Sequence, residues 1–292
     1  MTATRVHSLP DARDALLALL RESERPVAVL TGAGISTESG IPDYRGPETQ
    51  RRARNPIRFA DYMKDPHLRA RYWARSMLGW PRFRSAAPNP AHLALAELER
   101  RGAIHGPITQ NVDRLHHAAG SREVIELHGA LADVRCLDCG AREHRDEVQA
   151  RLIADNGRLR GELSRDGAPE LAPDGDADLE ATRALLEGFV LPRCTRCEGA
   201  LKPDVVFFGE SVRRELVEAA YARVEDASAL LVVGSSLAVF SGYRFVRRAH
   251  ERGLPVAIVT LGPSRGDELA SVRVEARAGE LLPWLRDALL AA

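Results

Sequence analysis

Short apolar runs alternate with amphipathic segments along most of this 292-residue chain. The runs that are apolar at nearly every position, as in strands buried on both faces of a sheet, are residues 27–31, 229–233 and 255–259. Apolar residues recur at helical spacing in segments 11–20 and 281–290. Pro90 opens another helix before a short strand at 108–109. This alternation predicts an α/β fold with a doubly wound, Rossmann-like parallel sheet.

Two segments interrupt the pattern. Residues 47–88 are rich in arginine, proline and aromatic residues with poor periodicity, which indicates an inserted helical module. Residues 136–200 form a separate unit, and its segment 155–178 predicts a long surface loop because it is rich in Gly, Asp, Pro and Glu. The sheet pattern resumes at Leu201, with a strand predicted at 205–208. The ranges assigned to the Rossmann-like domain are 1–46, 89–135 and 201–292.

The charge balance excludes some classes of partner. The chain has 41 acidic and 41 basic residues, so it lacks the positive net charge that would favour binding to nucleic acid or to an anionic membrane. No apolar run reaches the length of a membrane span, and residues 1–10 lack the apolar core of a signal peptide. These features predict a cytoplasmic protein that binds neither nucleic acid nor membrane.

All four cysteines occur in two CxxC pairs, Cys136/Cys139 and Cys194/Cys197. Two-residue spacing lets both sulfurs of a pair reach one ion, and two such pairs are typical of a tetrahedral thiolate zinc site. Two disulfides or a redox dithiol are the alternatives, and a cytosolic chain makes disulfides unfavourable. Four protein ligands leave no open position, so the pattern predicts one structural Zn²⁺ in a zinc-binding module at 136–200.

A glycine-rich segment, GAGIS (32–36), directly follows the first strand. A turn of this kind, followed by a helix start, places free backbone N–H groups around an anion, and Gly32 and Gly34 let the backbone approach a pyrophosphate. Thr37 stands where ordinary nicotinamide dehydrogenases need a third glycine, which disfavours that class. The following residues, Pro42 to Gly46, combine a rigid residue, an acid, an aromatic and a base, which is more than an ordinary turn requires.

Polar residues also follow other strand ends, where ligands bind in open α/β sheets. Asn111 offers a donor and an acceptor and Asp113 only acceptors, as recognition of a carboxamide needs, although an Asx turn explains the pair equally well. Gly234-Ser235-Ser236 again places glycine and hydroxyl groups at a strand end. Taken singly, this last segment is a common turn.

His128 stands out among nine histidines. It follows a short apolar run, and the glycine after it leaves one side open to a ligand. An imidazole with a pKa near neutrality suits general-base work. His116 and His117 lie in a helical context and are predicted to be structural.

Together these motifs resemble the sirtuin family of NAD-dependent protein deacylases. The resemblance extends from about residue 16 to residue 285 and includes, besides the cysteine pairs, GAGIS (32–36), GIPDYRG (40–46), TQNVD (109–113), ELHG (126–129), KPDVVFFGE (202–210) and GSSLAVFSGYRF (234–245). Segments 71–75, 171–176 and 241–245 are similar to the class II branch, which includes a mitochondrial sirtuin of animals.

The resemblance implies that NAD binds across the carboxyl edge of the sheet. The implied NAD contacts are Gly32, Ala33, Gly34, Ser36, Tyr44, Arg45, Gln110, Asn111, Asp113, Gly234, Ser235, Ser236, Thr260, Gly262 and Ala278. The implied catalytic residues are Asn111, which orders water, and His128. The acyl oxygen of a modified lysine attacks C1′ of the ribose, nicotinamide leaves, and His128 then takes a proton from the ribose hydroxyls. The products are lysine and O-acyl-ADP-ribose.

The family usually has Asn at the position of Thr260 and more commonly Phe at that of Tyr44. Thr260 keeps a hydroxyl group but loses the bidentate amide, so weaker adenosine binding is expected.

The resemblance also implies a protein partner that carries an acylated lysine. Its peptide adds as a strand, and Val206, Phe208 and Val239 line an apolar acyl-lysine tunnel. Such a tunnel rejects a free lysine because desolvating its ammonium group is costly. Acetyl is the default acyl group, and the alternative function is that of a protein mono-ADP-ribosyltransferase with the same NAD site. A nucleotide sensor without activity is disfavoured because the catalytic constellation is intact.

Overall fold

A six-stranded sheet organises the larger of two units in the computed structural model of the chain. All neighbouring strands are parallel, in the order β3-β2-β1-β7-β8-β9. The strands are β1 (Ala28–Thr31), β2 (Ile108–Thr109), β3 (Ile125–Glu126), β7 (Leu230–Val233), β8 (Val256–Val259) and β9 (Val272–Val274). The order reverses between β1 and β7, and ligands of open α/β sheets bind at such a switch point. The predicted fold class is confirmed.

The structure describes residues 9–21, 25–46, 57–158, 161, 172, 174, 176 and 186–291. Contacts divide the chain into two compact units, and each is described by itself. The larger unit comprises Met1–Arg52, Ala87–His128 and Val212–Ala292, and the smaller comprises Ala53–Ala86 and Gly129–Ser211. The three-part domain division made from the sequence stays a prediction.

Helices cover both faces of the parallel sheet. They are Leu9–Arg21, Pro90–Arg100, Leu115–Ala118, Arg214–Asp226, Phe240–Glu251 and Ala278–Leu290. Alternate residues of β1 point to opposite faces, so Val29 packs with Leu95 and Leu285, whereas Leu30 packs with Phe245 and Ile108. Burial on both faces explains why the central strands are apolar at nearly every position.

The smaller unit has an antiparallel sheet of three strands in the order β5-β4-β6. These strands are β4 (Gly129–Cys136), β5 (Arg142–His144) and β6 (Leu201–Val205), and the helices of this unit are Phe59–Lys64, Pro66–Arg84 and Arg145–Asp155. Tyr62, Tyr72, Trp73 and Met77 form much of its core. Two of these helices lie within the predicted helical insertion, which stays a prediction, and its residues 47–56 lie outside the described residues.

Three local predictions were wrong. The strand predicted at 205–208 ends at Val205, because the backbone turns where the N–H of Phe207 donates to the Glu210 carboxylate at 2.8 Å. The glycine-rich loop continues into two short 3₁₀ turns, Ala33–Ile35 and Thr37–Ser39, and not into an α-helix.

The third correction concerns the surface loop predicted at 155–178. Much of it lies outside the described residues, but Ala172 and Asp176 are buried, so the surface assignment fails for both. Among the described helices, none has both the length and the apolarity that crossing a membrane requires.

Candidate active site

The loops after β1 and β7 touch through their backbones at the switch point. The N–H groups of Gly32 and Gly34 donate to the carbonyls of Val233 and Gly234, at 3.0 and 2.8 Å. These two amides are therefore not free donors, and the sequence-based expectation that they face an anion is wrong for this structure. The glycines are needed for close approach, since a Cβ on Gly34 would lie 2.9 Å from the Gly234 Cα.

Ser36, Asn111 and Asp113 form one hydrogen-bonded cluster at the ends of β1 and β2. The Ser36 hydroxyl donates to Asp113 Oδ2 at 2.7 Å and accepts from the Asn111 amide at 3.0 Å. The N–H of Leu115 donates to the other Asp113 oxygen at 2.9 Å, as in an Asx turn. Burial raises the pKa of the Asp113 carboxyl. The structure thus joins three of the predicted site residues across 77 positions of sequence.

Gln110 connects this cluster to the loop after β7. Its side-chain amide donates to the Ser235 hydroxyl at 2.8 Å and to the Thr31 carbonyl at 3.2 Å. Ser235 also accepts from the N–H of Leu237 at 3.2 Å. Gln110 therefore holds the ends of β1, β2 and β7 in one arrangement.

His128 is fixed at both ring nitrogens. Nδ1 lies 2.9 Å from the Gln110 carbonyl, which can only accept, so Nδ1 carries the proton. Nε2 lies 2.9 Å from the Ser241 hydroxyl and must therefore be the lone-pair nitrogen. Burial lowers the pKa of His128. The imidazole is held as a neutral base with Nε2 as its acceptor atom.

The two rival histidines have other roles. His116 is buried, and its Nε2 lies 2.9 Å from the Thr31 hydroxyl at the base of the site. His117 is exposed and lies 3.3 Å from Glu126. These positions agree with the structural roles predicted for both.

Arg273 braces the loop that contains Thr260 and Gly262. Its guanidinium donates to the carbonyls of both residues and to the Asp267 carboxylate, the last at 2.9 Å. The Thr260 hydroxyl has only a long contact of 3.5 Å to the Leu261 carbonyl. The backbone of this loop is thus held although the side-chain amide usual in the family is missing.

The remaining predicted residues lie in several places. Ala278 is buried at the start of the last helix, where the next N–H, that of Gly279, donates to Glu38 at 2.7 Å. Ala33 and Ser236 are partly buried in the loops after β1 and β7, whereas Tyr44 and Arg45 are exposed. Val206 and Phe208 belong to the smaller unit and Val239 to the larger, so their shared tunnel stays a prediction.

The four cysteine sulfurs of the smaller unit form a cluster within 4.8 Å. Cys136 Sγ lies 3.5 Å from Cys197 Sγ, and Cys139 Sγ lies 3.7 Å from Cys194 Sγ. Four thiolates about 2.3 Å from a tetrahedral zinc ion are roughly 3.8 Å apart, which these separations match. Free thiols at these distances are not disulfides. The donor set fits one structural Zn²⁺.

The polar set at the switch point fits a dinucleotide. It contains a carboxylate, two side-chain amides and several hydroxyl groups, which together complement a carboxamide and ribose hydroxyls. Its place at the carboxyl ends of parallel strands is that of dinucleotide-binding α/β proteins. The fold and the site thus define a Rossmann-type protein with a buried imidazole beside its switch point.

Comparison with known proteins identifies the family. Residues 32–241 match the Sir2 family, and the chain belongs to it. It is 50% identical to the NAD-dependent protein lipoamidase sirtuin-4, mitochondrial, of Bos taurus, over 88% of this chain and 80% of that protein. It is also 50% identical to NAD-dependent protein deacetylase 1 of Mycobacterium avium, over 91% of this chain and 92% of that protein.

Solved structures agree with this assignment. A chain described as "Structural Basis for the Mechanism and Regulation of Sir2 Enzymes" has a TM-score of 0.73 and 31% identity, and the match covers 97% of this chain and 99% of that one. A chain described as "Sir2-p53 peptide-NAD+" has a TM-score of 0.72 and 31% identity, and that match covers 95% and 98%. The likeness to the class II branch agrees with the sirtuin-4 relatives.

Sequence reasoning missed two residues at the site. Ser241 contacts the acceptor nitrogen of His128, and Arg273 braces the loop at Thr260. A hydroxyl residue in the first turn of the helix that follows a strand-end loop is a signal that could have indicated Ser241. Nothing in the local pattern around Arg273 distinguishes it from a surface arginine.

Proposed function

We propose that this chain is an NAD-dependent protein-lysine deacylase, which transfers the acyl group of a modified lysine to ADP-ribose and releases nicotinamide. The observation that carries the proposal is the neutral His128 imidazole, with its Nε2 lone pair at the ligand crevice of a Sir2-family fold. The names of the relatives, an NAD-dependent protein lipoamidase and an NAD-dependent protein deacetylase, support this proposal.

The cofactor site uses residues that follow the three strands β1, β2 and β8. Asp113 and Asn111 suit the carboxamide and the neighbouring ribose, with Ser36 holding both side chains in place. Thr260 and Gly262 suit the adenosine ribose. NAD, when bound, supplies an electrophilic ribose carbon with nicotinamide as its leaving group.

His128 acts as the general base at Nε2. When NAD is bound, His128 Nε2 would accept the proton of a ribose hydroxyl, and the Gln110 carbonyl would stabilise the imidazolium through Nδ1–H. Because burial lowers the pKa of His128, the ring is unprotonated near neutral pH and able to accept. A base of this kind typically contributes about 10²–10⁴-fold to rate.

The peptide substrate binds beside the acyl tunnel. Val206, Phe208 and Val239 are the residues we assign to the tunnel wall from the family resemblance, and all three have apolar side chains, of which Phe208 is exposed. An apolar wall accepts an acylated lysine and excludes an ammonium group. The peptide adds as an extended strand through main-chain hydrogen bonds.

The names of the relatives support two acyl groups and disfavour the alternative function. The deacetylase relatives support acetyl, and the lipoamidase relatives support a longer lipoyl chain. The mono-ADP-ribosyltransferase alternative has no counterpart in the names of these relatives. We place the chain in the cytoplasm, as its sequence predicts, whereas the sirtuin-4 relatives are described as mitochondrial.

Mass spectrometry of the products tests this proposal. The purified protein is incubated with NAD and lysine peptides that carry acetyl, longer aliphatic or lipoyl groups. The expected result is O-acyl-ADP-ribose that carries the acyl group of the consumed peptide, together with nicotinamide. NAD consumption with a gain of ADP-ribose mass on protein, and no O-acyl-ADP-ribose from any peptide, would establish the transferase instead.

A further inference from the structure

The Ser241 hydroxyl lies at the atom where His128 must accept a proton. Its oxygen is 2.9 Å from Nε2. Because Nδ1–H is committed to the Gln110 carbonyl, Nε2 has only a lone pair to offer, and the hydroxyl is the donor. In the free protein, the acceptor site of the base is thus already occupied by a hydroxyl group.

The packing around Ser241 fixes this contact. Ser241 is the second residue of the helix Phe240–Glu251, which begins after Val239. A Cβ on the next residue, Gly242, would lie 2.5 Å from the side-chain oxygen of Gln110, so the missing side chain lets the helix start approach Gln110 closely. The same Gln110 accepts from His128 Nδ1 through its carbonyl. The start of the helix Phe240–Glu251, the Gln110 side chain and the His128 imidazole therefore pack against one another.

The charged groups near His128 in sequence or on the neighbouring helix interact with residues other than His128. Glu126, two residues earlier, lies 3.3 Å from both Arg114 and His117. Asp113 accepts from Ser36 and from the backbone. On the helix, the Arg244 guanidinium lies 5.1 Å from the ring centroid of Phe240. Within the described part of the larger unit, the imidazole nitrogens bond to Gln110 and Ser241 and to no charged group.

We propose that Ser241 is a positioning residue for the deacylation reaction, because it donates to the Nε2 lone pair of His128 and occupies the place of the ribose hydroxyl until NAD binds. This inference rests on the proposed function. A hydrogen bond to the neutral form of an imidazole disfavours its protonation, and the nearby positive end of a helix acts in the same direction. Since Nε2 has one lone pair, the ribose hydroxyl must replace the Ser241 hydroxyl, which rotation about the Ser241 Cα–Cβ bond allows.

The direct test needs neither NAD nor activity. Nitrogen-15 NMR of selectively labelled histidines, assigned with a His128→Asn variant, reports the tautomer and the titration of His128. In the wild type we expect the Nδ1–H tautomer. Ser241→Ala should raise the pKa of His128 by roughly half to one unit with the Nδ1–H tautomer retained, because the Gln110 carbonyl still fixes that tautomer, while Ser241→Thr should restore the wild-type titration. An unchanged titration of His128 in Ser241→Ala would overturn the inference.

The kinetic test follows the two chemical stages separately. In Ser241→Ala, the acid limb of the pH profile for O-acyl-ADP-ribose formation should move to higher pH by the same amount, with exchange of labelled nicotinamide into NAD unchanged. Ser228→Ala, which removes a hydroxyl bonded to the Arg25 carbonyl, is the matched control and should leave the profile in place. A profile that does not move in Ser241→Ala contradicts the inference. If the wild type forms no O-acyl-ADP-ribose, the proposed function fails and the NMR result alone decides on Ser241.

Discussion

At the scale of single residues, two buried histidines beside the site are held in their neutral form. The rings of His92 and His116 have centroids 4.9 Å apart, and both are almost fully buried. His92 Nδ1 accepts from the N–H of Asn89, the residue before the helix Pro90–Arg100, at 3.4 Å. Burial lowers the pKa of His92 to about 4 and that of His116 well below its ordinary value. Protonation of either ring therefore opposes folding.

This burial predicts a loss of stability in mild acid. The unfolded chain binds a proton at His92 with the ordinary pKa of 6.5, whereas the folded protein does so only near 4. The free energy of unfolding should therefore fall as pH drops from 6.5 towards 4, by about 3 kcal/mol for His92 alone. Urea unfolding at several pH values measures this change. His92→Gln, which keeps an acceptor for the helix cap, should flatten the slope, and the exposed His250→Gln should not. Equal slopes in wild type and His92→Gln would refute the prediction.

At the scale of elements, the site depends on how closely two strand-end loops meet. Gly234 has a φ of 62°, and a Cβ there would lie 2.3 Å from the Ile35 nitrogen. Gly253, at the turn before β8, has a similar φ of 71° but no atom within 4 Å of an added Cβ. The two positions therefore share the conformational cost of a side chain and differ only in the space for it.

A pair of alanine substitutions separates these two effects. Gly253→Ala should cost about 1–2 kcal/mol in the free energy of unfolding, the usual cost of a side chain in the left-handed region. Gly234→Ala should cost roughly 1–3 kcal/mol more, because the loops after β1 and β7 must separate, and it should also weaken NAD binding. Urea unfolding and calorimetric titration with NAD measure both quantities. Equal losses of stability in the two variants would show that the loop contact does not matter.

The residues at which strands begin and end depend on tertiary contacts, which the local pattern of apolar residues does not reveal. The apolar runs at 229–233 and 255–259 correctly predict β7 and β8, because burial on both faces leaves a local signal. The run VVFF (205–208) carries the same signal, yet only Val205 pairs with β4, since Glu210 turns the backbone at Phe207, and Phe208 forms an isolated bridge with Arg58. The short strands β3 and β9 were not predicted from the pattern.

At the scale of the whole molecule, the sequence predicts the motifs and the fold well. It predicts the contacts between individual side chains poorly. The parallel sheet and the cysteine cluster follow from spacing, and the structure confirms both. The contact between His128 and Ser241 joins residues 113 positions apart, and no periodicity reports it. The buried Asp176 was assigned to a surface loop because composition alone describes polarity and not environment. Tertiary packing determines both the contact between His128 and Ser241 and the burial of Asp176.

One comparison tests the central claim, that His128 is the base of an NAD-dependent deacylase. The measurement follows O-acyl-ADP-ribose formation and exchange of labelled nicotinamide into NAD, in wild type, His128→Ala and the exposed control His117→Ala, with the acyl peptide that the wild type prefers. The account predicts that His128→Ala lowers O-acyl-ADP-ribose formation by about 10²-fold or more and retains exchange, while His117→Ala changes neither. O-acyl-ADP-ribose formation by His128→Ala at a rate near that of the wild type would contradict it.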